Sequence, residues 1–183
     1  MTIQEGPARV LAFWFETLDS TQWFRKDPAL DADIAERFAD TLAAALRGEL
    51  WRWRETPHGR LAEVIVLDQF SRNIHRDTAR AFAADPIALV LAQEAVARGD
   101  DQALATGERA FLYMPYMHSE SRAIHDEALR LFDQPGLERN LDFEHRHRDI
   151  LDRFGRYPHR NAILGRNSTP EELAFLEQPG SSF

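Results

Sequence analysis

Arginine, histidine and aspartate recur in one pattern at two places in the chain. Residues 67–76 read LDQFSRNIHR and residues 151–160 read LDRFGRYPHR, so both fit L-D-x-F-x-R-x-x-H-R at an offset of 84 residues. Guanidinium groups form paired hydrogen bonds with the two oxygens of a carboxylate or phosphate. The two segments therefore indicate the chemistry of anion recognition.

Each copy places an aspartate one helical turn before an arginine, as Asp68 and Arg72 and again as Asp152 and Arg156. Side chains at this spacing meet on one face of a helix. Asp68 lies in an apolar run that predicts burial, and a buried carboxylate needs a partner. Two interpretations remain open: the aspartates are structural ties for the arginines, or they present the arginines to a ligand.

If the two copies face each other across a pseudo-twofold axis, their cations line one pocket. The crowded positive charges then require neutralisation by carboxylates or by a bound anion. Asp68, His118 and Glu120 are the candidate catalytic acids or bases if a reaction occurs. We predict a pocket for a small carboxylate- or phosphate-bearing ligand, with these ligand-binding residues: Arg72, Asn73, His118, Arg156, Arg160 and Asn161.

His118 follows a Met-Pro turn and precedes a predicted helix, whose N-terminus favours anions. The alternative is that His118 caps this helix or completes a hydrogen bond in the core. The chain has no cysteine, no glycine-rich phosphate loop, no nucleophile elbow and no H-E-x-x-H motif. We predict no metal and no cofactor.

The overall charge of −8 argues against a nucleic-acid partner, because phosphate binding requires an excess of basic residues. The same charge argues against an anionic membrane surface, and no apolar run reaches membrane-spanning length. The N-terminus lacks the pattern of a signal peptide. These features favour a cytoplasmic protein.

Apolar residues recur with helical periodicity along the chain, and no stretch alternates as a half-buried strand does. We predict an all-α fold of about eight helices in one domain, residues 1–183. Residues 56–59 are assigned to a loop, and residues 60–72 to a central helix that is apolar on nearly all sides. The remaining predicted helices are 7–18, 30–47, 85–98, 107–116, 119–132, 141–154 and a short one that begins at Thr169.

Several of these motifs together resemble the bacterial domain-of-unknown-function family 924, over nearly the whole chain. The resemblance implies a helical superhelix similar to tetratricopeptide (TPR) repeats, and it implies no activity. The matching segments are 13–15, 23–24, 67–73, 85–86, 114–120, 153–161, 164–166, 168–169 and 180–183. Ser71 and Tyr157 depart from this family's usual proline and phenylalanine.

Two functional hypotheses follow. The first is a small-molecule protein whose anionic metabolite binds among the arginines and His118. The second is a protein- or peptide-interaction module without catalytic activity, which rests on the TPR-like fold by analogy. A closed polar pocket favours the first, and an open groove lined by exposed side chains favours the second.

Overall fold

The computed structural model describes residues 5–182, and in this range the chain forms helices and no β-strand. The all-α prediction is therefore confirmed. The helices are α1 Glu5–Ala12, α2 Pro28–Leu46, α3 Pro57–Ile65, α4 Asp85–Ala97, α5 Thr106–Met117, α6 Arg122–Phe132, α7 Glu138–Phe154 and α8 Pro170–Leu176.

Helix α3 lies at the centre of the molecule, and every residue in the range 59–70 is buried. It begins earlier than predicted, because the hydroxyl of Thr56 accepts a hydrogen bond from the Gly59 N–H and Pro57 occupies the first turn. The helix continues without a break through a π-helical turn, Val66–Phe70, and a last α-helical turn, Ser71–Ile74. π-Helical turns are rare and are frequent at functional sites.

Aromatic side chains form the core around α3. Phe70 packs against Phe38 of α2, with ring centroids 4.7 Å apart, and Trp14 packs edge-on against Phe111 of α5 at 5.5 Å. A smaller apolar cluster lies where α7 ends, and Leu151 and Tyr157 are its fully buried members. The sequences Asp27-Pro28 and Thr169-x-x-Glu172 predict helix caps, and both are confirmed: Asp27 caps α2, and the Thr169 capping box starts α8.

The connection between α5 and α6 differs from the prediction. Helix α5 continues through Pro115 and ends at Met117, so the predicted Met-Pro turn does not form. His118 follows the helix directly. Helix α6 begins at Arg122, and the Ser119 hydroxyl accepts a hydrogen bond from the Ser121 N–H before the helix starts. The chain thus holds a short, non-helical segment at His118 instead of a helix N-terminus.

The two motif copies have different backbones. The first copy remains helical to Ile74, whereas α7 ends at Phe154, one turn earlier in the motif. Gly155 adopts a left-handed conformation at φ +69°, and Pro158 then begins a 3₁₀ turn. The second copy therefore leaves the helix before Arg156, the first arginine of the shared pattern.

The large apolar side chain of Phe183 predicts that the C-terminal tail docks on the body of the protein, but Phe183 lies outside the described residues. Nearby, Ser181 is buried and its hydroxyl donates to the Leu176 carbonyl at 3.1 Å. The TPR-like arrangement and the single-domain assignment stay predictions of the sequence.

Replacing Gly59 by alanine tests the start of α3. A Cβ atom at Gly59 would lie 1.9 Å from the Trp53 carbonyl oxygen, so the backbone has to shift. We expect Gly59→Ala to lower the free energy of unfolding by about 1–3 kcal/mol, measured by urea denaturation.

Gly107→Ala in α5 is the matched control, since its Cβ would meet no atom within 4 Å. That variant should be neutral or more stable by about 0.4–1 kcal/mol. Equal behaviour of the two variants would contradict the close approach.

Candidate functional site

Asp68 is a fully buried carboxylate in the π-helical turn of α3. It accepts hydrogen bonds from Gln69 Nε2 at 2.6 Å, His118 Nδ1 at 2.7 Å and Arg72 Nη1 at 3.1 Å. Burial by itself raises the pKa of a carboxyl group, but the charge of Arg72 and the contact with His118 lower the pKa of Asp68 to about 2. Asp68 is therefore ionised at neutral pH.

Arg72 connects this carboxylate to the next helix. Its Nη1 donates to the Asp68 carbonyl at 2.7 Å, and its two terminal nitrogens donate to both carboxylate oxygens of Asp85, at 2.8 and 3.0 Å. The sequence Asp85-Pro86 predicts a helix cap, but Asp85 is the first residue of α4 and its side chain binds Arg72 instead. Burial lowers the pKa of Arg72, and the two aspartates more than offset this. Arg72 acts as a tie between α3 and α4.

Arg160 reaches the same aspartate from the second motif copy. Its Nη1 lies 3.4 Å from Asp85 Oδ2, and its guanidinium carbon lies 4.6 Å from the Phe82 ring centroid and 4.7 Å from that of Tyr157. The side chain is only 7% exposed, and its Nε has no hydrogen-bond partner among residues 5–182. Burial and the nearby Arg72 lower the pKa of Arg160. Arg160 is therefore buried, and its Nε donor has no described acceptor.

The two motif copies thus meet at Asp85, but not as symmetry mates. The first copy contributes its first arginine, Arg72, and the second copy contributes its last, Arg160. The residue equivalent to Arg160 in the first copy is Arg76, which binds Asp31 on α2. The pseudo-twofold arrangement of arginines predicted from the sequence is therefore wrong.

His118 forms a hydrogen bond with Asp68 through its Nδ1. No described residue forms a hydrogen bond with its Nε2. Because Asp68 is an ionised acceptor, Nδ1 carries the proton and Nε2 presents a lone pair. Burial and the charge of Arg72 lower the pKa of His118, while Asp68 opposes them. His118 is a neutral imidazole with a free basic nitrogen at neutral pH.

An open cleft of about 330 Å³ lies over these groups. Its polar side is formed by Asp85, His118, Ser119, Glu120 and Arg160, and its apolar side includes Phe82, Pro86, Leu89, Pro115 and Leu164. Glu120 is already engaged: Arg166 donates to both of its oxygens at 2.6 and 2.9 Å, and the Tyr157 N–H donates at 2.7 Å. His118 Nε2 and the edge of Arg160 are therefore the groups best placed to meet a ligand.

Comparisons with known proteins identify the chain's relatives. The family described as "Bacterial protein of unknown function (DUF924)" matches residues 10–180. The chain belongs to this family. A solved structure, that of the protein of unknown function ATU0120 from Agrobacterium tumefaciens, is 42% identical with a TM-score of 0.92, over 96% of this chain and 99% of that one. The comparison with curated proteins gives no match.

Four of the residues predicted for the site do not line the cleft of this DUF924 protein. Asn73 donates to Asp31, and Arg156 donates to both oxygens of Glu172 at 2.7 and 2.8 Å. The other two are Asn161, which donates to Ser168 and Glu172, and Arg72, which lies behind Asp85. The predicted pair of Asp152 and Arg156 does not form, because Gly155 turns Arg156 out of the helix. Half-exposed Asp152 binds Arg148 and Arg122.

The segment that carries His118 is fixed by residues that sequence reasoning missed. His125 Nε2 donates to the Ser119 carbonyl at 2.8 Å, and its Nδ1 contacts buried Glu144. The Tyr157 hydroxyl donates to the Met117 carbonyl at 2.6 Å. The helical periodicity of α6 and α7 places His125 and Glu144 inward, but no local signal pairs them.

Residues 5–182 contain neither a cluster of metal ligands nor a membrane-spanning helix. No group of three or more His, Cys, Asp or Glu side chains there is arranged to hold a metal ion. None of the helices in that range combines the length and the apolar character needed to cross a membrane.

Asp68→Asn tests the central carboxylate of the DUF924 protein. The substitution removes the charge that Arg72 and His118 share, and it places an amide donor near the Gln69 amide. We expect a loss of about 3–5 kcal/mol in the free energy of unfolding at pH 7, from urea denaturation. Asp152→Asn is the control, and because its side chain is half exposed we expect a change below about 1 kcal/mol.

The same pair of variants tests the pH dependence. Because the pKa of Asp68 in the folded chain, about 2, lies below its usual value of 3.8, its stabilisation is present above pH 3.8. It is lost as the pH falls from 3.8 towards 2. The stability difference between wild type and Asp68→Asn should therefore shrink between pH 5 and pH 2.5. A difference that does not change with pH would contradict an ionised Asp68.

Proposed function

We propose that this DUF924 protein binds a small carboxylate- or phosphate-bearing molecule in the cleft, with Arg160 as the anion anchor. The single observation that carries the proposal is the state of Arg160. Its side chain is only 7% exposed, yet its ion pair with Asp85 spans 3.4 Å. Its Nε has no hydrogen-bond partner among the described residues. A buried cation with unused donors is costly unless a further acceptor arrives.

The aromatic rings beside Arg160 restrict how a ligand can reach it. Phe82 and Tyr157 lie over the guanidinium group, so the unused donors are those along its edge. The edge of a guanidinium group is the part that forms parallel hydrogen bonds with an oxyanion. His118 Nε2, in the same cleft, supplies a second polar contact, and either it or Glu120 is the candidate acid or base for any reaction.

The interaction-module hypothesis is the alternative outcome of the test below. The sequence-based expectations of a TPR-like superhelix and a cytoplasmic location accompany both hypotheses. A peptide-binding groove needs exposed side chains along an open surface, whereas Arg160 is deeply buried. For this reason the small-molecule proposal is preferred.

A thermal-shift screen tests the proposal with phosphate, sulfate and small mono-, di- and tricarboxylates. An anion at 100 times its dissociation constant should stabilise the fold by ~2.7 kcal/mol, which corresponds to a rise in Tm of roughly 5–10 °C for a chain of this size. Arg160→Gln should abolish the shift. Arg156→Gln should lower the basal Tm, because Glu172 loses its partner, but should keep the shift.

Calorimetry on any anion found in the screen provides the direct measurement of binding. An anion that shifts wild type and Arg160→Gln equally would contradict the role of Arg160. If no anion shifts the wild type, the arginines are structural ties and the interaction module becomes the better hypothesis.

A further inference from the structure

Four charged groups form a connected network beside His118, and their charges sum to zero. Asp68 and Asp85 each carry one negative charge, and Arg72 and Arg160 each carry one positive charge. His118 between them is neutral at neutral pH because burial lowers its pKa. A monoanion added to this site would leave one uncompensated negative charge in a poorly solvated environment, which is costly.

The other titratable groups around His118 do not change this balance. Glu120 is paired with Arg166. Burial lowers the pKa of His159 to about 4 and that of His147 to about 3, so both are neutral at pH 7. Burial also raises the pKa of the Tyr157 hydroxyl, which stays a neutral donor. His118 is therefore the group best placed to take a proton when an anion enters.

The far side of the cleft is apolar. Phe82 precedes α4, Pro86 and Leu89 lie in the first two turns of α4, and Pro115 and Leu164 complete the wall. This surface offers no partner for a second charged group, whereas it stabilises a hydrocarbon body by removing it from water.

We propose that the cleft takes up a small monocarboxylic acid with an apolar body, with its carboxylate on Arg160 and one added proton on His118 Nε2. The inference rests on the proposed function and narrows it to monocarboxylates. At neutral pH the proton comes from the buffer: its bond to the buffer breaks, an N–H bond forms at Nε2, and no other bond changes. Asp68 remains ionised and stabilises the imidazolium through Nδ1.

Isothermal titration calorimetry with hexanoate and adipate tests this inference on the full chain. The two probes have the same six-carbon chain, but adipate carries a second carboxylate that would lie against the apolar wall. Titrations at pH 8 in buffers of different ionisation enthalpy should show uptake of about one proton per hexanoate bound. Adipate should bind about tenfold more weakly or worse. Between the pKa of His118 in the free protein and its higher pKa in the complex, uptake of one proton should make hexanoate affinity fall about tenfold per pH unit.

A matched pair of variants tests whether His118 is the group that takes up the proton. His118→Asn keeps an amide that can donate to Asp68 but has no titratable nitrogen, so proton uptake should disappear. His145→Asn makes the same change at an exposed histidine of α7 and should leave proton uptake and affinity unchanged. The measurements on the wild type decide the question even if His118→Asn folds poorly.

The possible failures are distinguishable. Hexanoate binding without proton uptake, or adipate binding as tightly as hexanoate, would overturn the inference. If phosphate or a dicarboxylate binds through Arg160 while hexanoate does not, the inference fails and the proposed function stands. If no anion of any class binds, both fail.

Discussion

The buried charge of Asp68 is the constraint on which the rest of the site depends. An ionised carboxylate without water is tolerated only when donors surround it, and here they come from its own helix and from the end of α5. Arg72 then needs a second acceptor, which Asp85 provides at the first residue of α4. One buried charge thereby fixes the relative positions of three helices. The same contacts leave His118 Nε2 free at the cleft.

Each aspartate of the site binds more than one cationic or donor group. Asp68 binds Arg72 and His118, and Asp85 binds Arg72 closely but Arg160 only at 3.4 Å. Arg160 is therefore the least satisfied member of the network. Aromatic contacts with Phe82 offset part of the cost of its burial without consuming its hydrogen-bond donors. This combination of burial and an unpaired Nε is the basis of the proposal that Arg160 binds an anion.

Sequence reasoning correctly predicted the features that depend on interactions between residues close together in the chain. The apolar run over residues 61–67 predicted the buried central helix, and the caps at Asp27 and Thr169 are set by residues within one turn. Sequence reasoning failed to predict ion pairs whose partners lie far apart in the sequence. Arg156 had a carboxylate one turn away but pairs with Glu172, since a left-handed Gly155 intervenes. Ion pairs that span 75 residues, such as that of Asp85 with Arg160, have no local signal.

The second motif copy is best understood as the support of the site, not as a second half of it. Tyr157, where this chain departs from phenylalanine, donates its hydroxyl to the Met117 carbonyl and its N–H to Glu120, so it holds both sides of His118. Arg166 binds Glu120 and the Tyr157 carbonyl, which closes the ring of contacts. Holding the imidazole within hydrogen-bond reach of Asp68 requires this rigidity, because a catalytic or binding group loses its geometry when its support is loose. The pattern occurs twice in the sequence, and its two copies have different roles in the structure: one supplies the buried charge, and the other supplies Arg160 and fixes the segment that carries His118.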